Sequence, residues 1–125
     1  MRVLKTKKFN EFCGDNGVSD IKLSHAIMEI EAGLIDAELG AGIIKKRLAR
    51  EGEGKSGGYR TIIVYKRGDR AIFLYAFPKN VMENIDGKTL KNLKLLAKSY
   101  NILTEAQLLT AIREGKFVEV PYETW

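Results

Sequence analysis

Residues 52–80 read GEGKSGGYRTIIVYKRGDRAIFLYAFPKN, and their punctuation predicts a β-hairpin. A glycine-rich, lysine-bearing loop runs into a β-branched segment, Tyr59 to Lys66. Gly68-Asp69 supplies a tight turn, and a second apolar segment from Ala71 to Phe77 stops at Pro78. Two-residue Gly-Asp links between such runs mark hairpins, and proline cannot continue a ladder. Alternation puts Arg60, Ile62, Val64 and Lys66 on one face of the first strand, with Tyr59, Thr61, Ile63 and Tyr65 on the other. The partner AIFLYAF is apolar on both faces, as suits a central strand. Lys55 and Arg60 enter this hairpin at the end where Lys79 and Asn80 leave it. Folding therefore gathers cations that the sequence holds about twenty residues apart.

Upstream, Ile43 to Ala49 (IIKKRLA) predicts another strand with cations in its middle: Lys45 and Arg47 on one face, Lys46 on the other, and Arg50 at its end. Three adjacent cations on a strand cannot all face a core, so one face is solvated or covered by an anionic partner. Val3 and Leu4 form a short first strand. Thr6 then caps a helix with Phe9, Phe12 and Cys13 on one side, broken at Gly14 to Gly17. Ser19 caps a second helix whose stripe is Leu23, Ile27, Ile30 and Leu34. Gly33, Gly40 and Gly42 mark an irregular passage into the sheet. Downstream, Asp86 caps a third helix, with Ile85 stapled to Leu90 and a stripe of Leu90, Leu93, Leu96 and Ala97. Thr104 to Gln107 is a capping box for a fourth. Phe117 to Val120 is a candidate edge strand, and PYETW leaves Tyr122 and Trp125 on the tail.

The 125 residues are expected to form one domain, with residues 1–100 as its core and 101–125 as a helical extension. Such a chain buries roughly two-thirds of its unfolded surface. One cysteine permits no internal disulfide, and one histidine with one cysteine is no structural zinc site, so neither metal nor cofactor is expected. No apolar run reaches the ~18 residues of a membrane span. MRVLKTKKFN lacks a signal peptide's apolar stretch, so the expected setting is cytoplasmic. The net charge of +5 is unevenly spread. Residues 16–42 carry one Lys against five acids, whereas residues 43–78 carry nine Lys/Arg against three. An excess concentrated on one element is the footprint of a polyanion binder.

Three features read as structural rather than functional. Gly54-Lys55-Ser56 has the tail of a phosphate-binding Walker loop, but Ala49 stands where its first glycine belongs, and a strand follows instead of a helix. Cys13 has no neighbour that would activate a thiolate and reads as a small core residue. His25 lies off the apolar stripe of its helix, far in sequence from the cations, as an ordinary surface histidine.

A cluster of Lys45, Lys46, Arg47, Lys55, Arg60 and Lys79 would suit a phosphodiester, because cations stabilise the extra charge of its transition state. Cleavage of RNA needs no metal in principle. The ribose 2′-hydroxyl is the nucleophile, and the protein aligns it, takes its proton and stabilises the phosphorane. A lysine can act as the base where neighbouring cations depress its pKa. Basic residues on a small sheet equally describe a binder of nucleic acid that performs no chemistry.

The run GKSGGYRTIIVYKRGDRAIFLYAFPKN with the Asn84-Ile85 helix start, and LIDAELGAGIIKKRLAREGEG before it, resembles the RelE toxins of bacterial type II toxin–antitoxin modules. It is most similar to the HigB-like branch of the RelE/ParE superfamily. The resemblance implies an α+β fold in which N-terminal helices pack on a twisted, mainly antiparallel four-stranded sheet, with additional C-terminal helices. It implies metal-independent cleavage of messenger RNA on the ribosome, inhibition of translation, and neutralisation by a cognate antitoxin. Arg60, Lys79 and Lys55 would then be catalytic, with Lys45, Lys46, Arg47, Arg50, Asn80 and Tyr122 contacting RNA. Many relatives carry a histidine, or an arginine with a downstream tyrosine, after the last central strand, where this chain has Asn80 and no nearby histidine or tyrosine. Two alternatives stay open at this point: a non-catalytic ParE-like inhibitor of DNA gyrase, and a nucleic-acid-binding module or degenerate toxin.

Overall fold

The computed structural model describes residues 1–49, 58–78 and 86–122, with the side chain of Pro78 set aside. The element order is β1 (Arg2–Thr6), α1 (Lys7–Asn16), α2 (Asp20–Glu31), β2 (Ala37–Gly40), β3 (Ile43–Leu48), β4 (Tyr59–Lys66), β5 (Arg70–Pro78), α3 (Gly87–Asn101), α4 (Glu105–Arg113) and β6 (Phe117–Val120). The strands form one sheet in the order β2-β3-β4-β5-β1-β6. All neighbours are antiparallel except β1 and β5, which run parallel.

The α+β class agrees with expectation, but the four-stranded sheet is corrected to six strands. The short first strand expected at Val3 and Leu4 is present as β1, ahead of the N-terminal helices. β1 does not sit at an edge: it lies between β5 and β6, so the chain ends are joined through the sheet. β2 is the element that the residue pattern does not disclose. Its four residues, AELG, include Glu38 and end on a glycine, so propensity argues against a strand. Pairing with β3 provides what propensity does not. The hairpin of β4 and β5 forms as predicted, although its link is Arg67-Gly68-Asp69 rather than two residues. Gly68 takes φ 75°, and the Asp69 N–H donates to the Lys66 carbonyl at 3.0 Å.

Two apolar layers clamp the sheet. On one face α1 and α2 bring Phe9, Cys13, Leu23, Ile27 and Ile30 against Val3, Ile44, Ile63 and Phe73. On the other, α3 and α4 bring Leu93, Ala97 and Leu108 against Leu4, Ile43, Ile62, Val64, Ile72 and Leu74. Caps fix where the helices begin. Thr6, Ser19, Asp86 and Thr104 each accept an N–H three residues on, and Thr104 with Gln107 completes the capping box. The Thr6 hydroxyl also donates to the Leu74 carbonyl at 3.2 Å, tying the end of β1 to β5. Arg2 bridges Glu105 of α4 and Glu119 of β6, which raises its pKa chiefly through the Glu105 hydrogen bond. Cys13 is buried, and loss of solvation pushes its thiol up to about 11. It is a core side chain, not a nucleophile. Ile85, expected to staple α3, lies outside the described residues. Among the described residues no helix is long and apolar enough to cross a membrane.

Candidate nucleic-acid interface

The cationic face is built by register. Arg47 on β3 stands directly opposite Arg60 on β4, and Lys45 stands opposite Ile62, two residues along on the same face. Ile62 belongs to the apolar layer under α3, so Lys45, Arg47 and Arg60 lie on the α3 side of the sheet, at the end where that layer stops. Phe77 on β5 stands opposite Arg60 and packs against the edge of the same layer.

Like charges directly opposite each other on a sheet destabilise it by roughly 0.2–1 kcal/mol. Here only one carboxylate answers the two arginines among the described residues. Asp36 accepts from the Arg47 Nε at 3.0 Å and from the Arg47 backbone N–H at 2.6 Å. Among the described residues Arg60 has no carboxylate partner, and its Nε is buried without a hydrogen-bond acceptor. Lys45 likewise has no ion pair among them. A guanidinium kept beside a second one, with a donor left unused, is a costly arrangement for the isolated domain. An arriving anion removes that cost.

The tight approach of β3 and β4 at this end explains the glycine preceding Tyr59-Arg60. A Cβ on Gly58 would meet the Leu48 carbonyl oxygen at 1.8 Å, an impossible contact with backbone that cannot swing aside. Tyr59 pairs with Pro78 across β5. The described strands therefore deliver the chain into residues 50–57 and 79–85 at the Arg60 end of the sheet. Lys55, Arg50, Lys79 and Asn80 themselves lie outside the described residues.

Two candidates are placed elsewhere. Lys46 faces the α2 side, where alternation from Lys45 puts it, and is 4% exposed. Its Nζ donates to the Leu34 carbonyl at 2.8 Å and pairs with Glu29 at 3.3 Å. It braces the end of α2 to β3. Replacing Lys46 with methionine is expected to lower stability by about 1–3 kcal/mol, the cost of leaving buried partners unpaired, with the denaturation midpoint as readout. Because Lys46 does not share the Arg60 face, RNA affinity should fall less than in Lys45→Ala. Tyr122 packs against the α1/α2 layer and so belongs to that same far face. His25 is exposed on α2.

Residue-pattern reasoning missed Tyr75. It stands opposite Ile62, so it shares the Arg60 face, and a register irregularity between Ile62 and Ile63 shifts the phase of β5 just there. The aromatic is 36% exposed, and the Lys8 ammonium lies 5.4 Å from its ring centroid. Strict alternation through AIFLYAF hides such a residue, since a bulge re-aims side chains without any sequence signal of its own. Among the described residues no group of three or more His, Cys, Asp or Glu side chains is gathered that could hold a metal.

The geometry is that of a small sheet with one cationic, partly aromatic end, and the comparison with protein families agrees with it. A search of curated proteins found no match to the chain. The family model for the RelE toxin of the RelE/RelB toxin–antitoxin system matches residues 1–120. With nearly its whole length matched, the chain belongs to the RelE toxin family.

Proposed function

We propose that this toxin cleaves messenger RNA on the ribosome and so inhibits translation, acting in the cytoplasm and held in check by a cognate antitoxin. The family pairs such toxins with an antitoxin. The observation that carries the nuclease reading is Arg60: its buried Nε has no acceptor among the described residues, and it stands opposite Arg47. A phosphodiester supplies the missing acceptors, and its transition state carries more negative charge than its ground state. Preorganised cations therefore favour the reaction rather than binding alone.

In this reading the message lies along the α3 side of the sheet with its scissile phosphate on Arg60. Arg47 and Lys45 hold neighbouring phosphates. The ribose 2′-oxygen attacks the adjacent phosphorus, its proton leaves to a base, and the 5′-oxygen departs with a proton. The products are a 2′,3′-cyclic phosphate and a 5′-hydroxyl. Lys55 and Lys79 are assigned the proton transfers, with Arg50 and Asn80 as further RNA contacts. All four lie outside the described residues, in the segments that follow β3 and β5 in the chain.

The chemistry is tested by a message bearing a single 2′-deoxynucleotide at the cut site. Cleavage there should fall below detection while cuts elsewhere persist, and the other fragments should end in cyclic phosphate. Unchanged cleavage at the 2′-deoxy position would remove the 2′-hydroxyl, and with it this mechanism.

A further inference from the structure

We infer that Asp36 is a positioning residue for the cleavage reaction. Its carboxylate holds the Arg47 guanidinium at a fixed place beside Arg60, so that the two arginines meet successive phosphates of one RNA strand in a single register. The inference rests on the nuclease reading above and adds to it a group that touches no substrate. Asp36 stands immediately ahead of β2, and its backbone N–H donates to the Lys45 carbonyl at 3.0 Å. Its two carboxylate oxygens then divide between the two ends of one residue. Oδ2 accepts the Arg47 backbone N–H at 2.6 Å, and Oδ1 accepts the Arg47 Nε–H at 3.0 Å.

The ladder explains why such a hold is needed. Arg47 turns its N–H toward β2, where Asp36 takes it. A residue in an antiparallel pair directs its N–H and C=O to one side. Arg47 and Arg60 therefore form a non-hydrogen-bonded pair across β3 and β4, the kind in which opposite side chains stand closest. Two guanidiniums at that spacing repel. The Arg47 side chain is 41% exposed, and untethered it would relax away from Arg60 into solvent. Asp36, itself only 22% exposed, opposes that movement from the β2 side. The bond engages Nε alone. The terminal Nη groups, the donors that grip a phosphate, are not engaged by Asp36.

Charge alone gives a different expectation. Removing Asp36 raises the positive charge beside the phosphates. If the carboxylate did nothing but dilute that charge, its loss would tighten RNA and leave the bound complex as fast as before. If it only fastened the edge of the sheet, activity would fall in step with stability. Positioning gives a third pattern: a slower reaction in the bound complex, with affinity unchanged or tighter. A phosphate held off register loses rate rather than binding, because the attacking and leaving oxygens no longer line up.

The test is single-turnover cleavage of a ribosome-held message by Asp36→Asn, by Arg47→Ala and by the double variant. The amide oxygen of Asp36→Asn still accepts the Arg47 backbone N–H, so the sheet edge is kept. Its NH₂ group turns a donor toward Nε, and the guanidinium is released. The rate of the bound complex should fall about tenfold, with half-saturation unchanged or lower. In the Arg47→Ala background the same substitution should change the rate by less than about twofold, since the group it positions is gone. The inference is overturned if Asp36→Asn reacts at the wild-type rate, or if its loss persists in full in the Arg47→Ala background. It is also overturned if the loss vanishes at a temperature where both proteins are fully folded. An active wild-type protein matched by Asp36→Asn overturns this inference alone and leaves the nuclease reading standing. A wild-type protein that cuts no message overturns the nuclease reading, and this inference with it.

Discussion

Replacing Arg60 with alanine is expected to slow cleavage of a translated message by about 10²–10³-fold, the loss usual when one preorganised donor to a developing negative charge is removed. The effect should appear mainly in the rate of the bound complex, because charge stabilised only at the transition state contributes there. Induced expression of the variant should no longer arrest growth. Stability should move the other way or not at all. Arg60 has no carboxylate partner among the described residues and faces Arg47 across the ladder, so its removal relieves a like-charge pair worth roughly 0.2–1 kcal/mol. Lost activity with an equal or higher Tm separates a functional cation from a structural one. A variant that cleaves at the wild-type rate removes Arg60 from the mechanism.

The hairpin, its flanking strand and all four helix starts were legible because each is written locally. Alternation put Lys45 with Arg47 on one face of β3 and Arg60 with Ile62 on one face of β4, although only the register between the strands makes these the same face of the sheet, and side-chain oxygens at Thr6, Ser19, Asp86 and Thr104 announced the helices. What depended on long-range pairing was not legible. β2 exists because β3 offers it a partner, not because AELG favours extension. The parallel pairing of β1 with β5 joins residues about seventy apart, which no local pattern encodes. Lys46 shows another limit. The pattern correctly turned it away from Lys45, but only the packing of α2 shows that Glu29 and the Leu34 carbonyl wait there. Tyr75 was missed because a bulge changes phase silently.

The largest expected effect on stability lies at Phe73. This ring is fully buried in β5, stacks on Phe9 of α1 with centroids 5.0 Å apart, and sits in the sheet between β4 and β1. Phe73→Ala leaves a cavity that neither sheet nor helix can close, because both are held by their own hydrogen bonds. The expected cost is about 3–5 kcal/mol. Against a total of about 5–15 kcal/mol for a domain, that leaves a marginal or unfolded protein. Urea denaturation should show a midpoint shifted far down at similar slope. A loss under about 1 kcal/mol would mean that α1 is not fastened to the sheet through this ring.

The most direct test of the central claim is primer extension on one message incubated with the purified protein, once under active translation and once with initiation blocked. A cationic sheet end shaped for a ribosome-held phosphodiester predicts discrete cuts in the translated message and none in the blocked one. An intact message in both reactions, from folded protein freed of antitoxin, would contradict it.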